Sequence, residues 1–218
     1  MTTRREGALR AAFALAGALT IMGCGATRYP AHYVLTFEPP ASPEAAAPAT
    51  GIGTLAIREL QCPDYLCEGR IVYRPTSSEV GFYQYHRWAV SPGAMIAQHL
   101  ADRVRAGSLF ASVSEDDSHV ATDFVLTGSI ERFEELDDAR SVAAVCTLSA
   151  QLVESRTGVV VWSGSATERV GVDQRDVPGV VNGLNTAVRR TVDGLVASMQ
   201  LELARTRSTP RLSARTVR

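Results

Sequence analysis

The sequence predicts an α/β fold: a single compact domain in which two helices pack on a mostly antiparallel sheet. Three observations lead there. Three long β-rich stretches follow one another, Asp123 to Phe133, Ser141 to Val153 and Val159 to Val170, separated by turn-forming residues, the pattern of an antiparallel meander. One amphipathic stretch of helical period precedes them and a second follows, and each needs a sheet to lie against. The 218 residues, 45% hydrophobic and 21% charged, suit one folded domain.

Taken in order, the chain opens with a leader. Arg4, Arg5 and Arg10 form a positive region, and Ala11 to Met22 is an apolar run, too short for an ordinary membrane span but suited to a signal peptide. It ends Ile21-Met22-Gly23-Cys24, which resembles the lipobox of bacterial lipoproteins: a branched apolar residue, then a small residue before the cysteine. Residues 1–23 are therefore expected to be cleaved as a lipoprotein signal peptide, with Cys24 accepting lipid. Several acyl chains, palmitate among them, anchor stably where one holds weakly. Gly25 rather than Asp follows the cysteine. In the sorting rule of Gram-negative lipoproteins this favours the outer membrane over the inner, with the domain facing the periplasm. Losing Arg4, Arg5, Arg10 and Glu6 takes the net charge from −1 to −3.

Tyr33 to Phe37 reads as a first strand. Residues 38–50, rich in proline and alanine, read as an extended surface loop. A strand is expected over Gly53 to Leu60 and a loop over Cys62 to Gly69. Two short strands follow, Ile71 to Arg74 and Val80 to Tyr85, split by the turn-rich Pro75-Thr76-Ser77-Ser78. Ser91 as cap and Pro92 at the first helical position start a helix that runs to about Arg105 and stops at Gly107. A short strand over Leu109 to Val113 leads into the meander, whose second turn is Ser155-Arg156-Thr157-Gly158. Asp176 caps the last helix, about Pro178 to Leu203, on which Val181, Leu184, Val188, Val192, Leu195 and Met199 form the apolar stripe. The folded domain thus spans residues 24–203. The tail 204–218, with arginines and no acid, is expected to stay disordered.

The residue inventory argues against most chemistry. All cationic side chains other than the four histidines are arginine, which excludes a Schiff-base lysine and a Walker-type phosphate loop. A net charge of −1 offers no general basic surface for nucleic acid. His32, His86, His99 and His119 lack metal-ligand spacing. The acidic groups Glu115-Asp116-Asp117 and Glu134 to Asp138 fall in expected loops and lack the spacing of a calcium loop. No catalytic residue, metal or cofactor is expected. Cys62 and Cys67 suit a small loop disulfide in an oxidising compartment, with a Cys62–Cys146 bond and free thiols as the alternatives. Cys146 alternates within a strand and reads as a small buried residue.

Pro63-Asp64-Tyr65-Leu66, then Arg70-Ile71-Val72-Tyr73-Arg74, then Arg87-Trp88-Ala89 before a helix together resemble the auxiliary lipoproteins of ABC-type transport systems, the family that includes PqiC. Tyr33-Val34-Leu35 is similar to that family's first strand after the anchor, so the resemblance covers about residues 24 to 200. Cys67 departs from it, standing where the family often has a polar residue. The resemblance implies a non-enzymatic lipoprotein partner of an MCE-domain protein and its ABC permease complex, moving phospholipid or another hydrophobic molecule between membranes. It implies Tyr65, Leu66, Arg74 and Trp88 as partner-docking residues, and a homo-oligomer is compatible with it. Phe82, Tyr83 and Tyr85 are further docking candidates, against the alternative that alternate members of that strand bury in the sheet. A second reading is an outer-membrane structural or regulatory lipoprotein such as an activator of cell-wall synthesis. The short tether before the first strand argues against that reading, because it cannot cross a peptidoglycan layer.

Overall fold

The computed structural model describes residues 28–38, 51–115, 121–138 and 141–208. The leader with Cys24, the proline-rich loop beyond Glu38, Asp116, Asp117, His119 and the tail beyond Ser208 lie outside the described residues. In chain order the elements are β1 (Ala31–Tyr33), β2 (Thr54–Ile57), α1 (Asp64–Cys67), β3 (Arg70–Arg74), β4 (Gly81–Trp88), α2 (Pro92–Ala106), β5 (Ser112–Glu115), β6 (Phe124–Asp137), β7 (Val142–Glu154), β8 (Val160–Gly171) and α3 (Val177–Ser208).

The meander β6-β7-β8 is the spine of an eight-stranded, open sheet. β7 pairs antiparallel with both neighbours along almost its whole length. The other edge of β6 is shared: its first residues take β2 in parallel, and its last take β3 in parallel. Beyond β2 lies β5, and beyond β3 lie β4 and then β1. Most paired residues are antiparallel, as the sequence predicts, while the short outer strands make the sheet mixed.

The core lies between one face of this sheet and the helices α2 and α3. Along β7 the even positions, among them Ala144, Cys146, Leu148 and Leu152, are buried and face α3, whose Thr191 hydroxyl reaches the Cys146 carbonyl at 3.5 Å. The α3 stripe from Val177 through Val188 to Leu203 is buried, matching the 3.6-residue period of the sequence. Asp176 caps the helix by accepting the Gly179 N–H at 2.8 Å. Arg103 on α2 and Asp193 on α3 join the helices at 2.6 Å. Gly107 ends α2 beside α3, where a Cβ would meet the flexible end of the Gln200 side chain.

Several elements differ from the sequence reading, each for a physical reason. The first strand is shorter and earlier, because residues 34–38 leave the sheet and cross the helices. The Leu35 N–H donates to the Met95 Sδ at 3.3 Å and the Thr36 N–H to the Asn185 Oδ1 at 3.0 Å. Their backbone donors are satisfied by helix side chains instead of a strand ladder. The expected loop at Cys62 to Gly69 contains a third helix, the single turn α1, which starts from the Pro63 carbonyl and is too short for periodicity to reveal. β4 runs on to Trp88 because β1 pairs with its end. β6 runs on to Asp137, so Glu134 to Asp137 are in a strand, not a loop. The last helix continues through Ser208, so the tail cannot begin at Ala204. Ser91 occupies the cap position of α2, but its hydroxyl donates to Glu59 at 2.7 Å.

Candidate docking surface

The helices cover one face of the sheet and leave the other open. On that open face lie the odd-numbered positions of β7 and β8 and, before its irregularity between Ile130 and Arg132, of β6, and along the middle of the strands these are polar. Thr127, Ser129, Ser149, Gln151, Ser163 and Ser165 floor a hollow of about 740 Å³, with Arg58, Glu59 and Gln61 beside it. The hydroxyls pair across strands: Ser129 with Ser149 at 2.8 Å, and Thr147 with Thr167 at 3.1 Å. These pairs join hydroxyl to hydroxyl, so they fix rotamers and leave the serines as weak nucleophiles. Among the described residues no group of three histidine, cysteine or acidic side chains is placed to hold a metal ion.

Towards the other end of β6 the same face changes from hydroxyls to charge. Glu134 is fully buried yet ionically satisfied. Arg74 on β3 grips it with two bonds of 3.0 Å each, and Arg132 donates its Nε to the same carboxylate at 2.9 Å. The Glu134 hydrogen bond raises the Arg74 pKa against the opposing effect of burial, and Tyr65 acts in the same direction. The fork-to-fork geometry is the arrangement in which a buried ion pair can offset its desolvation.

On the helix-facing side the β3–β4 region is aromatic. The Tyr83 hydroxyl donates to Glu135 at 2.7 Å, and burial raises the Glu135 pKa, with the Tyr83 bond opposing it. Tyr73 packs on Tyr83 at 5.1 Å and covers Gly81, where a Cβ would meet the tyrosine ring at 2.2 Å. His86 continues the group, paired with the Tyr33 hydroxyl at 2.9 Å.

Of the residues expected to dock a partner, Tyr65 and Arg74 lie at the Glu134 cluster and Trp88 on the helix-facing side, and not all can touch a partner. Leu66 and Trp88 are 1% and 5% exposed, and Trp88 packs on Phe133 at 5.1 Å. Both are core residues, so direct docking through them is corrected: apolar side chains of this size bury where a sheet and a helical turn meet. Tyr65 is half-buried beside Arg74, and Arg74 is committed to Glu134. Phe82 and Tyr83 are half-buried, while Tyr85 is exposed. Cys62 and Cys67 are bonded, with Cα atoms 6.0 Å apart, and staple α1 to its entry. Cys146 is free and buried, and burial pushes its thiol up to about 12. The hydroxyl-lined hollow was missed in the sequence. Its signal is the run of Ser and Thr at alternate positions, 127, 129, 147, 149, 163, 165 and 167, but only the strand register shows that these share one face.

The comparisons with known proteins agree with this architecture. The crystal structure of a Xanthomonas campestris protein of the family DUF330 superposes with a TM-score of 0.69 at 22% identity, covering 82% of this chain and 100% of that one. A crystal structure of an uncharacterized protein superposes with a TM-score of 0.61 at 12% identity, covering 78% and 99%. At such identities the likeness establishes the fold alone. No curated protein matches the chain. Residues 33–196 match the family model described as the ABC-type transport auxiliary lipoprotein component; this span holds all eight strands but part of β1, and most of α3, and the chain belongs to that family.

Proposed function

We propose that the chain is acylated at Cys24 and held at the outer membrane, where its domain, from residue 24 through the end of α3, is a non-enzymatic component of an ABC permease complex. In this reading it docks the MCE-domain protein through which phospholipid or another hydrophobic molecule crosses the envelope. The observation that carries the reading is the family match over residues 33–196. Two features support it. Between Cys24 and β1 lie only residues 25–30, a tether of at most about 25 Å when extended, so the domain stays close to its membrane. The open sheet face is polar, with its ion pairs internally satisfied, which suits a non-obligate protein interface.

The test is affinity purification of the full-length chain from membranes. An MCE-domain subunit, a permease and an ATPase are expected to co-purify. Recovery of cell-wall synthases alone would overturn the reading. The variant Cys24→Ser is expected to leave the membrane for the soluble fraction, and its continued lipid attachment would refute the anchor.

A further inference from the structure

We infer that the β1–β4 edge of the sheet is the surface that rests on the bilayer, with Arg28, Tyr29 and Tyr85 in its headgroup zone. This rests on the lipid anchor proposed above and goes beyond it by assigning a face. The large hydrophobic residues exposed in the first half of the fold gather at this edge. Tyr29 is 84% exposed, Val34 and Val90 are each 49% exposed, and Tyr85 is 37% exposed. They are brought together by pairing. Ala31 to Tyr33 lie in parallel beside His86 to Trp88, and the Ala89 N–H donates to the Tyr33 carbonyl at 2.8 Å, so Val34 and Val90 each follow directly on this paired segment.

The chemistry of the edge suits a lipid surface. The Arg28 guanidinium lies 6.0 Å from the centre of the Tyr85 ring, and Arg70 lies 3.9 Å over the Phe82 ring while also contacting Glu68. Arg87 sits on β4 opposite His32. Tyrosine and arginine both carry an apolar body and a polar tip, and both settle where hydrocarbon meets water. The charge that Arg28 and Arg87 add to this edge favours anionic headgroups.

Chain length selects the bilayer over other occupants. Tyr29 is five residues from Cys24, so its Cα lies within about 18 Å of the lipidated residue. β8, at the far side of the sheet, is five strand spacings from β1, a further distance of roughly 24 Å. An anchor entering at β1 turns this edge, and not β8, towards the membrane.

The experiment uses the full-length, lipidated chain in vesicles of phosphatidylethanolamine and phosphatidylglycerol that contain brominated lipid, a quencher of tryptophan fluorescence. The native Trp88 and Trp162 are each 5% exposed and give a common background. Three variants are compared: Tyr29→Trp, Tyr85→Trp and, as the distant control on β8, Val160→Trp. The first two reporters are expected to lose about half their added emission, as interfacial aromatic residues do, and the third to keep its own. Flotation with the vesicles and equal quenching at all three positions would overturn the face while leaving the anchor intact. Failure to float would overturn the anchor and this inference together.

Discussion

At the residue scale, the most consequential side chains are polar groups taken out of water. Glu134 is fully buried between two arginines, and removing a partner strands a charge. Arg74→Ala is expected to lower stability by about 3 kcal/mol in urea denaturation, with Arg74→Lys intermediate because lysine cannot make the paired bonds. An unchanged midpoint in Arg74→Ala would show that Arg132 alone satisfies the carboxylate. His99 is 3% exposed, stacked on Phe37 at 3.7 Å, with its Nε2 unpartnered. Burial lowers its pKa from 6.5 to about 4, with Asp193 and Asp102 opposing and Arg103 and Arg189 reinforcing the shift. The neutral ring is the folded form, so its contribution is complete above about pH 6.5 and is lost as pH falls towards 4. The loss is on the order of 2–3 kcal/mol. His99→Leu is expected to flatten stability between pH 6.5 and 4, measured by urea titrations at several pH values. A variant as acid-sensitive as the parent would assign the effect to other groups. None of this was legible in the sequence, where His99 is one helix residue and Glu134 one acid in a cluster. Their burial depends on partners some 60 residues away.

At the element scale, short pieces depend on outside support and long ones on their own pattern. α1 is a single turn that could not persist alone. The Cys62–Cys67 bond and the burial of Leu66 hold it. Replacing both cysteines by serine is expected to cost about 2 kcal/mol by the loop-entropy relation and to speed amide exchange at Tyr65 and Leu66 selectively. Uniform exchange across the domain would contradict this local role. The meander and α3 need no such help, and their spans were legible to within a few residues because period-2 and period-3.6 patterns persist over many turns. β1 and β5 were misplaced because a strand of three or four residues carries no period, and its bounds are set by the neighbour it pairs with.

At the scale of the whole molecule, the asymmetry of the sheet separates tasks. One face is closed by α2 and α3, the opposite face is open and polar, and the β1–β4 edge holds the first strand to follow the proposed anchor in the chain. If the open face meets the transporter partner, a bulky charge in the hollow disrupts the complex without disturbing the core. Ser149→Arg, on the floor of the hollow, is expected to reduce co-purification of the MCE-domain subunit about tenfold, as burying an unpaired charge at an interface does. Its unfolding midpoint should stay near that of the parent. Undiminished recovery would place the interface elsewhere.

What the sequence determined by itself was local or periodic. The leader motif ending at Cys24, the two amphipathic helices, the meander and the α/β class all follow from residues near one another in the chain. The short motifs around Tyr65, Arg74 and Trp88 also sufficed to suggest the family. Tertiary structure decided what long-range pairing controls: the two parallel neighbours of β6, the Arg74–Glu134–Arg132 cluster, the row of hydroxyls on one face and the exposure of Tyr85 beside Arg28. The physical reason is that burial and register belong to pairs of segments. Leu66 and Trp88 have the composition of docking residues, and only the segments packed over them made them core.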